Sequence, residues 1–150
     1  MSQSLAKILL HLVFSTKNRE PWIAESVQPR LHAYLAGACR ALGSEAYRVG
    51  GTDNHVHIGC SLPRTLAVSA LLEEIKKSSS HWMKQQEGIS GVFCWQAGYA
   101  ALSIGQSQLP ALLHYIENQR EHHRVRTFDE ELIEILDRYG VAYDQRYLWD

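Results

Sequence analysis

Residues 46–62 read Ala46-Tyr47-Arg48-Val49-Gly50-Gly51-Thr52-Asp53-Asn54-His55-Val56-His57-Ile58-Gly59-Cys60-Ser61-Leu62, and their reading decides the fold. Val56 to Leu62 is an apolar run of strand length, and Ala46 to Val49 is a second, shorter one. Between them, Gly50-Gly51-Thr52-Asp53-Asn54 supplies the glycines and Asx residues of a hairpin connection. Side chains two apart on a strand share a face, so His55 and His57 project side by side.

Outward from this hairpin, helix and strand signals alternate. Leu5 to Thr16 reads as a first strand that leaves through the basic Lys17-Asn18-Arg19. Pro21-Trp22 lead into a helix from about Ala24 to Leu42, ended by Gly43. Pro63 and Thr65 open a second helix, Leu66 to Gln86, closed by Gly88. Val92 to Trp95 and Tyr99 to Ile104 read as short strands around Gly98. Pro110 falls in the first turn of a helix that carries Tyr115 and Gln119 and runs to about His123. Phe128 to Asp137 is a last short helix, its first-turn acids suited to the helix dipole. The first six elements spell β-α-β-β-α-β. This predicts an α+β, ferredoxin-like (split β-α-β, RRM-like) antiparallel sheet. Helices cover one face, the histidine strand is central, and a C-terminal helix carries the tyrosine.

Composition sets the frame. A chain of 150 residues, 45% apolar and 21% charged, suits one domain over 1–150 with a real hydrophobic core. The net charge of −1 argues against a nonspecific nucleic-acid coater, which would be basic. No stretch approaches the roughly 20 apolar residues that span a bilayer. Ser4 to Phe14 lacks a basic lead and a small-residue cleavage site, so it reads as a strand rather than a signal peptide. Cys39, Cys60 and Cys94 are odd in number and show no C-x-x-C spacing. They read as reduced thiols of a cytoplasmic protein.

The chemistry lies in the histidine pair and in Tyr115-Ile116-Glu117-Asn118-Gln119. Residues four apart on a helix share a face, so Tyr115 and Gln119 project together. Two imidazoles and an amide oxygen can hold a divalent ion, and a tyrosine hydroxyl beside that ion can attack phosphorus. Each motif alone has an ordinary reading: paired histidines on an open strand face, or a tyrosine packed with its hydroxyl at the rim. Together they point to DNA strand cleavage by a tyrosine. Tyr99 sits in a strand and lacks a glutamine partner. His114 and the pair His122-His123 read as a polar helix end, and Asp53 as a turn residue. His11, His32 and His81 lie outside both motifs.

On these residues the chain resembles the single-tyrosine transposases of the HUH nuclease class, the small transposases of minimal bacterial insertion sequences. His55-Val56-His57 fits the two histidines around a hydrophobic residue that name the class. His11-Leu12-Val13-Phe14-Ser15-Thr16-Lys17 with Arg19 is similar to the family's first strand and basic exit. Tyr115 to Gln119 looks like its nucleophile helix, and Gly140-Val141-Ala142-Tyr143-Asp144 with Tyr147-Leu148-Trp149 resembles family C-termini.

The resemblance implies a DNA transposase that cleaves and rejoins single-stranded DNA at hairpin-flanked element ends. Tyr115 would be the nucleophile, leaving a 5′-phosphotyrosine and a free 3′-hydroxyl. His55, His57 and Gln119 would hold Mg²⁺ or Mn²⁺, with Mn²⁺ bound more strongly by the mixed nitrogen and oxygen ligands. The implied assembly is a homodimer in which one subunit's tyrosine helix can complete the other's histidine site, acting in the cytoplasm at the nucleoid. Expected DNA contacts are Lys17, Arg19, Lys76, Lys77, Lys84, Arg120, Arg124 and Arg126. Trp82 and Trp95 could stack on bases but suit the core better. Two other readings stay open. One is a ferredoxin-like module that binds hairpin DNA or RNA without chemistry, which would carry stacking aromatics on its open strands. The other is a hydrolase using water, which would need a carboxylate near the histidines. Only Asp53 is close in sequence.

Overall fold

A computed structural model describes residues 2–89 and 91–150. Four strands form one antiparallel sheet: β1 (Leu9–Ser15), β2 (Ala46–Gly51), β3 (His55–Ser61) and β4 (Ala100–Ile104), in the order β2-β3-β1-β4. Helices α1 (Gln28–Ala41) and α2 (Val68–Lys84) complete the β-α-β-β-α-β order read from the sequence. Three further helices follow β4: α3 (Leu109–Glu117), the single turn α4 (Gln119–His122) and α5 (Phe128–Arg138).

Strand alternation divides the two faces. Leu10, Leu12 and Phe14 of β1 and Val56, Ile58 and Cys60 of β3 point into a core with Leu31 and Leu35 of α1 and Leu71, Leu72 and Ile75 of α2. The odd-numbered residues face the other way. Val13 packs there against Phe128, Leu132 and Leu136 of α5. His11, His55 and His57 share that face and are buried. Register holds them close, since Val13 pairs with His57 and Ser15 with His55.

The open face is therefore not left to solvent. Helix α3 approaches β2 and β3 where their glycines permit: a Cβ at Gly50 would lie 2.5 Å from the Ile116 carbonyl oxygen. Helix α5 begins at Thr127, whose side chain accepts from the Glu130 amide in a capping box. It then lays its apolar stripe on the sheet.

Two expected elements differ. Val92 to Trp95 is not a strand. Trp95 makes one isolated bridge to Thr16, framed by Lys17 N–H to the Cys94 carbonyl and Gln96 N–H to the Ser15 carbonyl, each 2.9 Å. β4 already occupies the β1 edge from Leu9 to Val13, so little edge remains for residues 94–96. Phe93 and Trp95 instead turn inward, with Trp95 edge-on to Phe14. The tyrosine helix is also not continuous. It ends at Glu117, and Asn118 leaves helical geometry at φ −97°, ψ 23° before α4 resumes. Among the described residues, no helix is long and apolar enough to cross a membrane.

Candidate metal and tyrosine centre

His55 and His57 occupy the start of β3, fully buried, with their Nε2 atoms turned toward one carboxylate, that of Glu131. His57 Nε2 lies 3.0 Å from Glu131 Oε1 and His55 Nε2 lies 3.4 Å from it. The three ligating atoms fall within 4.8 Å of one another. Gln119 joins them: its Oε1 is 2.9 Å from His55 Nε2, and its amide donates to Glu131 Oε2 at 3.1 Å. The Tyr115 hydroxyl donates to that same Oε2 in a short hydrogen bond. The tyrosine ring stands edge-on to His57, centroids 5.6 Å apart. One chain thus brings the histidine pair, Gln119 and Tyr115 to a single centre, despite the break at Asn118.

The far sides of the histidine rings are held as metal-ligating histidines usually are. His55 Nδ1 meets Asn54 Oδ1 at 2.8 Å and Thr52 Oγ1 at 3.1 Å. Its ring stacks on Phe128, centroids 4.2 Å apart. His57 Nδ1 meets His11 Nε2 at 2.8 Å, and the two rings stack. With Nδ1–H donated to Asn54, the His55 Nε2 lone pair faces the oxygens of Gln119 and Glu131. Lone pairs crowd this point and hydrogens are scarce, which is the donor set a cation satisfies. The residues therefore fit a divalent ion, and the nitrogen and oxygen mixture suits a first-row transition ion.

The charges agree with this picture. Burial first, then the neighbouring His57, hold His55 well below the ordinary imidazole value. Burial likewise lowers His11 to about 3. Burial alone would raise Glu131, but its close contacts with the His123 and His57 rings outweigh it and hold the carboxyl well below its usual range. Burial, reinforced by the Glu131 charge, raises the Tyr115 phenol above its ordinary value.

Glu131 and His11 escaped the sequence reading. The signal for Glu131 was its place on α5: it shares the buried stripe of Phe128, Leu132 and Ile135, where an unpartnered carboxylate is costly. His11 carried no signal beyond its register on β1.

The expected DNA contacts scatter. Lys17 and Lys77 are exposed. Arg19 pairs with Asp129 at 2.8 Å and lies over the Trp149 ring. Lys76 donates to the carbonyls of Gln96, Ala97 and Gly98. Arg120 pairs with Glu25, Arg124 with Glu121, and Arg126 with Glu134. Arg120, Arg124 and Arg126 nevertheless line one groove of about 810 Å³ that reaches His123. A second cavity, about 500 Å³, is lined by Tyr115, His122 and Glu131. Trp95 is buried in the core, and Trp82 stacks on Tyr34.

Comparison with known families then decides the class. Residues 4–119 match the family model described as transposase IS200 like. The chain belongs to the IS200-like transposase family. Among solved structures, it resembles a putative transposase from Deinococcus radiodurans, 21% identical, over 79% of this chain and 98% of that one, with a TM-score of 0.60. It also resembles a REP-associated tyrosine transposase bound to a REP hairpin, 19% identical, over 82% of this chain and 74% of that one, with a TM-score of 0.58. At these identities the likeness shows the shared fold. No curated protein matches the chain.

Proposed function

We propose that this IS200-like transposase cleaves and rejoins single-stranded DNA at hairpin-bearing ends through Tyr115. The observation that carries the proposal is the meeting of Tyr115 with His55, His57 and Gln119 around Glu131. A hydrolase using water would have no need of a tyrosine hydroxyl at the same carboxylate. Within one chain every member of the cluster lies at the same carboxylate, and the homodimer that the family resemblance implies would present two such centres.

In the forward step the Tyr115 Oη–P bond forms and the P–O3′ bond breaks. One DNA end stays on the enzyme as a 5′-phosphotyrosine and the other leaves as a 3′-hydroxyl. The tyrosine gives up one proton and the 3′-oxygen gains one, so the step is balanced. Rejoining is the reverse attack by a 3′-hydroxyl, and the covalent link keeps the bond energy without ATP. Tyr115 has a raised pKa and stays protonated until attack. Its proton must therefore leave as the new bond forms, and Glu131 Oε2, which accepts the hydrogen bond of the hydroxyl, fixes the direction in which the phenol oxygen points. His55, His57, Gln119 and Glu131 would hold Mg²⁺ or Mn²⁺, which when bound polarises the phosphate and offsets its developing charge. Asn54, Thr52 and His11 keep the imidazoles aimed. The cavity lined by Tyr115, His122 and Glu131 is the side from which a phosphate would meet the hydroxyl.

The test is a covalent-adduct assay on labelled single-stranded hairpin DNA from the flanks of the gene. Wild type with Mn²⁺ is expected to give an adduct on a denaturing gel. Chelator, or Tyr115→Phe, is expected to abolish it while Tyr115→Phe still binds the hairpin. An adduct that survives in Tyr115→Phe would move the nucleophile to another residue. Tight binding with no adduct in wild type would favour a non-catalytic hairpin-binding protein of the same fold.

A further inference from the structure

His123 stands at the end of α4, one helical turn beyond Gln119, and its backbone N–H bonds to the Gln119 carbonyl at 2.9 Å. Tyr115, Gln119 and His123 therefore follow one another at intervals of four, and the last two share a helix face. The His123 Nε2 lies 3.1 Å from Glu131 Oε1 and 3.1 Å from Gln119 Oε1. Its ring centroid is 4.6 Å from that of His55. Its Nδ1 lies 2.9 Å from the Arg126 carbonyl oxygen.

A carbonyl only accepts, so Nδ1 carries the hydrogen. In the neutral ring the Nε2 lone pair is then aimed at two acceptor oxygens. Such an arrangement is repulsive unless a proton or a cation lies between the atoms. A backbone carbonyl on the far nitrogen is also the support typical of a ligating histidine. His122 differs. Its Nε2 lies 3.3 Å from Glu131 Oε2, the oxygen that serves Tyr115, and its ring packs on that tyrosine.

We propose that His123 is a third histidine ligand of the divalent ion, joining His55, His57, Gln119 and Glu131. This rests on the metal reading above and extends it to a residue outside the paired-histidine motif. Three imidazoles and a carboxylate favour a first-row transition ion over Mg²⁺, which prefers an oxygen shell. His123 is also the ligand nearest solvent. Its side chain is 12% exposed against 0% for His55 and His57, and it lines the arginine-bearing groove.

The experiment titrates the metal-free protein with Mn²⁺ by calorimetry, for wild type, His123→Ala, His57→Ala and the distant control His81→Ala. Loss even of a group that merely supports a ligand costs about 10- to 100-fold in metal affinity. His123→Ala is expected to weaken Mn²⁺ binding at least about tenfold, with His81→Ala unchanged. Pulsed electron paramagnetic resonance on wild type reads the ligands directly and does not depend on how the variants fold. Three imidazole nitrogens coupled to Mn²⁺ are expected, and two in His123→Ala. Two nitrogens in wild type, or equal affinity in wild type and His123→Ala, would overturn the assignment of His123 while leaving the His55–His57 site standing. Failure of wild type to bind Mn²⁺ at all would overturn both.

Discussion

Gly50→Ala tests whether the seating of α3 on the sheet sets the position of Tyr115. A Cβ at residue 50 would meet the Ile116 carbonyl oxygen at 2.5 Å and Ile116 Cγ2 at 2.8 Å. The nearer atom is backbone and cannot swing aside. Ordinary contact starts at 3.4 Å, so this turn of α3 must lift by about 0.9 Å. Ile116 is only 1% exposed and fixes that turn, so Tyr115, its neighbour in sequence, moves with it. Forcing an extra methyl into such a contact costs about 1–3 kcal/mol, offset by about 0.4–1 kcal/mol from the stiffer unfolded chain. A displacement of about 1 Å can cost about 10²-fold in a positioned reaction. Gly59→Ala is the matched control. There the new Cβ meets Ile116 Cδ1 and Leu113 Cδ2 at 3.3 Å, the free ends of flexible side chains. Urea unfolding and adduct formation are to be measured on the same preparations. Gly50→Ala is expected to lose about 1–2 kcal/mol and about 100-fold in adduct rate. Gly59→Ala should stay within about 1 kcal/mol and a few-fold of wild type. A destabilised Gly50→Ala that forms adduct at the wild-type rate would refute the idea that this contact positions the tyrosine.

His57→Ala removes a fully buried imidazole facing Glu131 and is expected to lower both Mn²⁺ affinity and Mn²⁺-dependent cleavage by more than tenfold, as calorimetry and the adduct gel would report; unchanged activity would sink the metal assignment. His32, whose Nε2 is buried without a hydrogen-bond partner among the described residues, is lowered to about 4 by burial. The unfolded chain takes up that proton first as pH falls through about 6.5, so stability is full above 6.5 and declines between about 6.5 and 4. At pH 5 the loss from this group is about 1–2 kcal/mol, discounted for the partly exposed ring. His32→Leu should flatten the difference in urea stability between pH 7 and pH 5 by that amount, and parallel slopes in the two proteins would count against the burial argument.

The β-α-β-β-α-β order was legible because each element carried its own local signal: apolar runs of strand length in β1 and β3, Pro and Gly at helix ends, and Asx and glycine in the hairpin. The sheet order followed from the arrangement. The strand at 92–95 was misread because a short apolar run reports burial, and Phe93 and Trp95 are buried through a bridge and aromatic packing rather than a ladder. The helix break at Asn118 left no clear mark, since asparagine occurs in helix interiors as well as at their ends.

The site was half legible for a related reason. A motif such as His-Val-His or Tyr-x-x-x-Gln is local, and secondary-structure periodicity alone brings its members together. Glu131 meets His57 across 74 positions of chain, and no period links them. What α5 does show is a conflict: an acid at the centre of an apolar stripe, three residues after Phe128 and four before Ile135. Burying a lone carboxylate is too costly to persist without cationic or donor partners. That stripe must therefore pack where such partners already wait. Among the described residues, the histidine face of β3 with Tyr115 and Gln119 is where Glu131 finds them. The same constraint fixes the orientation of α5, because rotating it by one residue would expose Glu131 and strand the imidazoles. The helix that closes the fold and the carboxylate that completes the centre are thus specified by one residue.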